Sequence, residues 1–366
     1  MTTIAELGTG HGGSLERAYQ LIDAAQESGA DAVKSQWVYA DEILHPKTGF
    51  VDLPGGKTPL FDVFKSLEVE PSFFEKCCDY SHSKGLKFVC SPFGIKSLTE
   101  LLKIKVDAVK IASPELNHIP LLKEVAKTCQ NIPVIISTGV SKLSDIETAL
   151  EILKPVKDLT ILHCITSYPA PESEYNLKLI KTYSSLFGVK TGVSDHSLDA
   201  VLVPVLSLAM GGSVIEKHFT LCHDDGGLDD KIALTPEEFA HMCYCVNQTK
   251  SLLKKFSDTP DLAVQEVYRQ MAQIYGMEKV VEVLGTGKKI LAVSEEKNYG
   301  RTNRSLHYRE SFPKGYKLQP GDVLVLRTEK ELTPGIHPQF LETVLGVELK
   351  THVQSGEGVL WNHLLI

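Results

Sequence analysis

The stretch from residue 192 to residue 218 reads GVSDHSLDAVLVPVLSLAMGGSVIEKH, and its pattern indicates the type of fold. Two short apolar segments, at 192–193 and 214–215, each run into polar residues, and a longer apolar segment lies between them. A strand, a helix and a second strand account for this pattern, which is typical of a parallel βαβ unit. Such strands are buried on both faces, so polar residues at their ends need a functional reason.

The same pattern occurs eight times before residue 220. Helical periodicity lies between the segments, as at 15–25, where apolar residues are spaced by three and four and Gly29 follows as a C-cap. Eight repeats predict an α/β fold, a (β/α)8 TIM barrel with its active site at the carboxyl ends of the strands. An open doubly wound sheet is the alternative, and it too would place the chemistry there. The polar residues at the eight ends are Glu6, Lys34, Ser91, Lys110, Ser137, His163, Ser194 and the run Glu216-Lys217-His218.

Composition bounds the class of protein. A chain of 366 residues with 43% hydrophobic and 23% charged residues is ordinary for a soluble globular protein of two domains. A net charge of −8 without a basic block argues against nucleic acid or a membrane surface as a partner. Neither a leader pattern nor an apolar run of about 18 residues occurs, so a cytoplasmic enzyme is expected.

The cysteines show no paired zinc-type spacing, and we expect reduced thiols without a catalytic role. Cys243 and Cys245 would point about 200° apart on a helix, so a shared metal is not expected. The eight are Cys77, Cys78, Cys90, Cys129, Cys164, Cys222, Cys243 and Cys245.

Two domains are predicted: a barrel with a C-terminal linker helix over 1–285, and a small β-rich domain over 286–366 after a linker. A helical stretch runs from about Glu237 to Phe256. Short β-like runs at 323–326 and 348–349, with turns at 320–322 and 355–358, then replace the βα pattern.

Residues two apart on a strand share a face, and this parity brings candidate ligands together. Ser194 with His196, and Glu216 with His218, should point into the same space from neighbouring strands. The two histidines therefore predict a divalent metal site with open positions, with Glu216 and Asp195 nearby as base or second-layer groups. The competing interpretation is that one or both are ordinary buried histidines.

Lysines at strand ends predict an anion. Lys34 and Lys110 sit where apolar residues are expected, and burying an unpaired charge is costly. Lys217 has the opposite parity to Glu216 and should form a structural pair on the helical side. Hydroxyl groups on the same rim suit a phosphate or carboxylate, although each serine alone is also typical of a turn or cap; they belong to Ser91, Ser113, Ser137 and Ser194.

Over nearly its whole length the chain resembles the sialic acid (nonulosonic acid) synthases. These enzymes condense phosphoenolpyruvate with an N-acylated hexosamine-type aldose. The last part resembles their antifreeze-like (SAF) domain, with Arg304-Ser305 near its start and Val344-Leu345-Gly346 later. The barrel segments that carry the resemblance are 4–8, 29–34, 110–113, 135–139, 167–171, 194–197 and 215–220.

The resemblance implies roles for individual residues. His196 and His218 would bind a divalent ion, Mn²⁺ or Mg²⁺. Arg327 would be an arginine that the partner subunit offers across a domain-swapped homodimer. Phosphoenolpyruvate would contact Lys34, Ser91, Lys110, Ser113, Ser137 and Ser194; Gln36, Tyr168 and Asp229 would lie near the sugar or the metal; and Glu6, Glu115 and Glu216 would be the candidate acids and bases.

The implied chemistry is attack of C3 of phosphoenolpyruvate on the open-chain aldehyde, capture of C2 by water, and loss of phosphate by C–O cleavage. Departures from the family's usual sequence fall mainly on the acceptor side. Some segments, such as 168–171 and 226–229, resemble the pseudaminic-type branch, whose acceptor is a 2,4-diacetamido-trideoxy hexose. The departures are Gly10-His11-Gly12-Gly13 for N-H-N-G, Lys34-Ser35-Gln36 for K-F-Q, Ser113-Pro114-Glu115 for S-G-E, Leu228-Asp229-Asp230 for P-D-H and Arg327-Thr328-Glu329 for R-P-G.

Two other classes remain open at this point. Another 2-keto-3-deoxy sugar acid synthase would share the lysines but not the SAF-like tail. A non-catalytic sugar-binding barrel would keep the fold but lose a metal ligand or a core lysine, and neither is lost here.

Overall fold

A computed structural model of the chain describes residues 2–53 and 56–365. Eight parallel strands, β1–β8, form a closed barrel in which each strand pairs with the next and β8 pairs with β1. The predicted barrel is confirmed, and the open sheet is wrong because β1 and β8 are hydrogen-bonded. The strands β1–β8 are Thr2–Gly8, Ala32–Trp37, Lys87–Pro92, Ala108–Ile111, Val134–Ser137, Leu159–Cys164, Lys190–Asp195 and Val214–His218.

Helices surround the barrel, and the first shows why they form where they do. The Ser14 side chain accepts a hydrogen bond from the Arg17 N–H, which caps the helix start. Gly29, just past the helix end, has a φ of +87°, a conformation that favours glycine. The helices that accompany the strands are Leu15–Glu27, Ala40–Ile43, Leu60–Ser66, Pro71–Ser83, Ile95–Leu101, Ile119–Thr128, Leu143–Leu153, Lys178–Phe187 and Leu202–Ala209.

Further elements complete the barrel domain. The predicted helix near 237–256 is observed as Pro236–Lys255, followed by Pro260–Tyr275 and Met277–Leu284. A hairpin pairs Phe50–Leu53 with Gly56–Pro59. Within the described residues, no helix combines the length and apolar character needed to cross a membrane.

The period of two along each strand separates two apolar layers. One parity packs against the helices and forms the large outer core, with residues such as Val33, Ile136 and Ile215. The other parity fills the bottom of the barrel and leaves its carboxyl end to polar side chains. The bottom layer consists of Ile4, Ala32, Val89, Ala108, Ile135, Leu162 and Val214.

The last part of the chain has its own small core. Strands Arg304–Tyr308 and Val323–Arg327 pair antiparallel, and Leu306, Tyr308 and Leu318 are buried with other apolar side chains. The predicted run at 348–349 makes isolated bridges instead of a regular strand. We call residues 286–303 the linker, since they join helix Met277–Leu284 to the first of these strands.

Candidate active site

Inward-facing polar side chains collect at the carboxyl end of the barrel. Four of them, one each from β1, β2, β4 and β8, form a buried charge cluster. The Nζ of Lys34 lies 2.9 Å from Oε2 of Glu6 and 3.6 Å from Oε2 of Glu216. The Nζ of Lys110 lies 3.5 Å from Oε1 of Glu216. All four side chains are at most 5% exposed, so they interact in a poorly solvated space.

This cluster overturns one expectation from the sequence, which concerns the partners of Lys34 and Lys110. The two lysines were expected to need an external anion, but Glu6 and Glu216 provide partners within the chain. The Lys110 contact is nevertheless longer than an ordinary hydrogen bond of roughly 2.7–3.2 Å. Its N–H groups can therefore still serve a ligand.

The charges in the cluster shift each other's ionisation. Burial would raise the pKa of Glu216, but the ammonium groups of Lys110 and Lys34 outweigh it and hold this pKa at about 2. Burial would lower the pKa of Lys34, but the Glu216 and Glu6 carboxylates raise it to about 12. For Lys110 burial prevails over Glu216 and the pKa is lowered. Glu216 and Lys34 are thus ionised at neutral pH.

Serine hydroxyl groups line the same space. Ser194 donates to Oε1 of Glu216 at 2.8 Å, and Ser91 accepts a long hydrogen bond of 3.4 Å from Lys34. The Ser113 hydroxyl accepts the Gly139 N–H at 3.0 Å. The Ser137 hydroxyl is buried and has no hydrogen-bond partner in the described part of the chain. An unsatisfied buried hydroxyl is costly, so this one is suited to a ligand oxygen.

His196 and His218 converge as the strand parity predicted, with ring centroids 5.4 Å apart. Nδ1 of His196 lies 2.8 Å from the carbonyl oxygen of Ile165, which leaves Nε2 as the free ring nitrogen. Metal-binding histidines commonly donate their other nitrogen to such a carbonyl. Burial lowers the pKa of His218 despite the nearby Asp229, which favours the neutral imidazole that binds a metal. Burial would also lower the pKa of His196, but the neighbouring Cys164 outweighs it and raises this pKa to about 9, so a metal ion bound there would displace a proton.

The donor set fits a metal ion with few protein ligands. Among residues 2–53 and 56–365, no three or more His, Cys, Asp or Glu side chains are grouped so that they could together hold a metal ion. Oδ2 of Asp229 is 3.7 Å from Nδ1 of His218, which places it beside the pair. Two imidazoles with a flanking carboxylate leave room for substrate oxygens, as in catalytic and not structural sites.

Two further predicted residues, Gln36 and Tyr168, lie beside Glu6 and His196 at the mouth of the barrel. Gln36 donates to Oε1 of Glu6 at 2.7 Å. The Tyr168 ring stacks on His196 with centroids 4.4 Å apart, and this side chain is half exposed. Gly8 was not predicted; a Cβ there would lie within 3.6 Å of both the Glu6 and Asp229 carboxylates.

Glu115 lies in a second, separate ion cluster at the boundary with the C-terminal domain. Its Oε1 accepts from Arg304 at 2.9 Å and from Arg327 at 2.7 Å. Glu115 and Arg304 are fully buried. Arg304 was not predicted as a site residue from the sequence, where Arg304-Ser305 was named only as part of the resemblance to the SAF domain.

Three strand-end residues face away from the site. Asp195 is paired with Lys217 at 2.6 Å and accepts from Tyr175 at 2.6 Å, on the helical side. Lys217 faces the helical side, as its parity predicts. Asp195 faces the same side, so the predicted role of Asp195 beside the metal site is wrong. His163 likewise has outward parity and contacts the Tyr175 carbonyl, so the polar residue predicted for the end of β6 does not face the site.

One inward-facing residue was missed. Cys164 ends β6 with the parity of Leu162, is buried, and its Sγ lies 3.8 Å from Nδ1 of His196. Strand parity predicts that Cys164 faces the barrel interior, whereas the spacing of the cysteines says nothing about its direction.

Comparisons with known proteins identify the family of each part of the chain. A model described as the NeuB family matches residues 21–258, and a model of the SAF domain matches residues 303–365.

Relatives match along almost the whole chain. The N,N'-diacetyllegionaminic acid synthase of Legionella pneumophila is 30% identical and is covered to 94% by 99% of this chain. The pseudaminic acid synthase of Campylobacter jejuni is also 30% identical, with 97% of this chain covering 94% of it. The crystal structure of the spore coat polysaccharide biosynthesis protein SpsE from Bacillus subtilis matches with a TM-score of 0.81 at 30% identity, covering 100% of this chain and 95% of that one.

Proposed function

The chain belongs to the NeuB family, and from this premise we propose that it condenses phosphoenolpyruvate with an N-acylated hexosamine-type aldose to form a nonulosonic acid and phosphate. The observation that carries the proposal is the buried meeting point of two ammonium groups, serine hydroxyls and two imidazoles at one barrel end. Cationic and hydroxyl donors suit the phosphate and carboxylate of phosphoenolpyruvate. The imidazole pair suits a divalent ion beside them.

Phosphoenolpyruvate would bind on the lysine side. Lys110 has N–H donors to spare, and the free Ser137 hydroxyl supplies a further polar contact. Lys34 is held between two carboxylates and orients the anion without leaving its place. Ser91, Ser113 and Ser194 complete this lining.

His196 and His218 would hold Mn²⁺ or Mg²⁺. When bound, such an ion supplies a Lewis acid that polarises a carbonyl oxygen. The chain's own contribution is to fix the imidazoles, through the Ile165 carbonyl for His196 and through strand β8 for His218.

The reaction joins C3 of phosphoenolpyruvate to the aldehyde carbon. Water adds at C2, and the bond from C2 to the bridging oxygen breaks so that this oxygen leaves with phosphate. As this bond breaks, the new C2 hydroxyl becomes the C2 ketone, so both protons of the water are released: one must reach the sugar alkoxide and the other leaves with phosphate. Glu216, with its pKa at about 2, is suited to holding Lys34 and Lys110 and not to donating a proton. We assign the water proton to Glu6, and we assign Glu115 the task of orienting Arg327.

The acceptor sugar would lie against Gln36, Tyr168, Asp229 and Arg327. A pseudaminic-type acceptor, a 2,4-diacetamido-trideoxy hexose, is the alternative to an N-acetylmannosamine-type sugar. The two relatives named above have different sugar acids in their names and equal identities of 30%, so identity does not choose between branches.

Phosphate release with Mn²⁺ tests the proposal against four acceptors. These are N-acetylmannosamine, its 6-phosphate, and the two diacetamido-trideoxy hexoses of mannose-like and altrose-like configuration. Release with one sugar supports the synthase and identifies the branch. Phosphoenolpyruvate labelled with ¹⁸O at the bridging position should pass the label to phosphate. Folded protein that releases no phosphate with any of the four would count against the proposal.

A further inference from the structure

The linker forms side-chain hydrogen bonds with the turn that follows β5. We define this turn as residues 138–145, which begin directly after Ser137 and include the first residues of helix Leu143–Leu153. Four linker side chains contact it, and we call them the linker clasp: Lys289, Glu295, Tyr299 and Asn303.

Glu295 forms the centre of the clasp. Its side chain is fully buried, and a single oxygen, Oε1, accepts the Val140 N–H at 2.7 Å and the Thr166 N–H at 2.6 Å. Hydrogen bonds from backbone N–H groups to a carboxylate are stronger than those between neutral groups. One linker oxygen therefore ties together the chain segments that follow β5 and β6.

Asn303 holds the same residue from its other side, since its Nδ2 donates to the Val140 carbonyl at 2.9 Å. Val140 is thus fixed at both of its main-chain groups. Its φ is +42°, in the left-handed region that a β-branched residue rarely adopts. Such a conformation persists only where the surroundings enforce it.

The other two clasp residues hold the ends of the turn. Nζ of Lys289 donates to the Thr138 carbonyl at 3.2 Å, and the Tyr299 hydroxyl donates to Asp145 at 3.0 Å. The contacts extend over the turn from its first residue to its last.

The clasped turn builds part of the anion site. Gly139 donates its N–H to the Ser113 hydroxyl. A Cβ on Gly139 would lie 3.0 Å from Oγ of Ser113 and 3.1 Å from Oε1 of Glu295, so these groups are packed without spare room. Moving the turn would shift Ser113 and the neighbouring Ser137 together.

The segment that carries Ser113 is held in the same way by the residue after the linker. Asn117 exchanges two hydrogen bonds with the backbone of Arg304, at 2.8 and 3.0 Å. The segment that carries Ser113 and the turn that follows Ser137 thus both contact one short piece of chain, 295–304.

We propose that the linker clasp positions the Ser113 and Ser137 side of the site and so sets the affinity for phosphoenolpyruvate. Glu295 and Asn303 are positioning residues, since neither would touch the substrate. The inference rests on the proposed function for the identity of the anion. The clasp itself does not depend on that identity.

The first test measures backbone amide exchange in the full-length chain without ligand. Glu295→Ala and Asn303→Ala should each speed exchange of the amides at 139–141 by at least about 10-fold, and Glu295→Ala should do so at Thr166. Glu295→Gln keeps an acceptor and should restore most of the protection. The matched controls are Glu296→Ala and Asn298→Ala, which change exposed neighbours. Unchanged exchange in both clasp variants would overturn the clasp; if one variant fails to fold, the other decides.

The second test separates the two substrates. Both clasp variants should raise KM for phosphoenolpyruvate about 10-fold, the loss expected for one or two hydrogen bonds, with KM for the sugar changed less than about twofold. An equal rise in both KM values, with faster exchange, would overturn the assignment to the anion side. Wild-type protein that releases no phosphate with any acceptor would instead contradict the proposed function. Amide exchange would then still decide whether the clasp exists.

Discussion

Arg327 reaches from the C-terminal domain to Glu115 at the barrel mouth, with its Nη2 at 2.7 Å and its Nε at 3.1 Å from the same carboxylate oxygen. The guanidinium also lies over the Phe93 ring, 5.5 Å from its centroid. Because Arg304 binds that oxygen as well, two cations share one carboxylate. The excess positive charge remains at the mouth, where Arg327 is 11% exposed.

Arg327 should therefore act on the acceptor and not on phosphoenolpyruvate. We expect Arg327→Ala to raise KM for the sugar about 10- to 100-fold, as for a lost hydrogen bond to a charged group. Arg327→Lys should recover little, since a lysine cannot reproduce the planar fork. Steady-state kinetics with each substrate varied in turn measures this, with exposed Arg309→Ala as the control. A rise confined to KM for phosphoenolpyruvate would contradict the prediction that Arg327 acts on the sugar.

The buried pair of Lys217 and Asp195 should matter to stability far more than a surface pair. Both side chains are 0% exposed, whereas those of Lys190 and Asp158 are 62% and 45% exposed. Lys217→Met leaves an unpaired buried carboxylate and should lower the free energy of unfolding by about 3–5 kcal/mol. Lys190→Met should cost less than about 1 kcal/mol. Urea denaturation of both variants gives the comparison, and similar losses would contradict it.

Glu216 should make stability depend on pH in the acid range. Its folded pKa of about 2 lies below the ordinary value of 4.5, so its stabilising contribution is complete above pH 4.5 and is lost as pH falls toward 2. The free energy of unfolding of the wild type should accordingly fall over this window by a few kcal/mol more than that of Glu216→Gln. Denaturant titrations from pH 6 downward show the difference. Parallel curves for the two proteins would mean that the lysines do not hold this carboxylate in the folded state.

Metal binding can be separated from turnover. His196→Asn and His218→Asn should each weaken Mn²⁺ binding more than about 100-fold. Replacing a residue that only hydrogen-bonds to a metal ligand already lowers metal affinity roughly 10- to 100-fold, and these two would bind the metal directly. Electron paramagnetic resonance of free Mn²⁺ reports the affinity without any reaction. His241→Asn, on an exposed helix position, is the matched control. Chelation of the wild type should abolish phosphate release and added Mn²⁺ should restore it; full turnover in the presence of chelator would contradict the metal proposal.

Strand parity explains why the barrel interior could be predicted from sequence. On a regular strand the face of a side chain follows from its position, which correctly separated Glu216 and His218 from Lys217. The errors at Asp195 and His163 came from counting polar residues at strand ends without applying that rule to each one.

The linker clasp could not be predicted in the same way. Lys289, Glu295 and Asn303 lie in a segment with no repeating pattern, and an isolated charged residue in such a segment is usually solvated. Only the tertiary fold brings Glu295 to the Val140 and Thr166 amides, 155 and 129 residues away along the chain. The same applies to Arg304, whose partner Glu115 is 189 residues away.

A domain-swapped homodimer, which the resemblance predicts, would preserve the contact between Arg327 and Glu115, because a swap exchanges one element for its identical copy. Two variants, each assayed at a sugar concentration well below the wild-type KM so that both are strongly impaired, can reveal which chain supplies the arginine. Lys110→Met disables the barrel and Arg327→Ala disables the C-terminal domain. If domains are exchanged, a mixed dimer has one site with both residues intact. Random co-assembly should then restore about a quarter of the wild-type rate, since half of the dimers are mixed and each has one of two sites working. If each chain closes on its own barrel, every site lacks one residue and mixing restores nothing. Purification through two different affinity tags, one on each variant, confirms that mixed dimers form, and their failure to recover activity would disprove the swap.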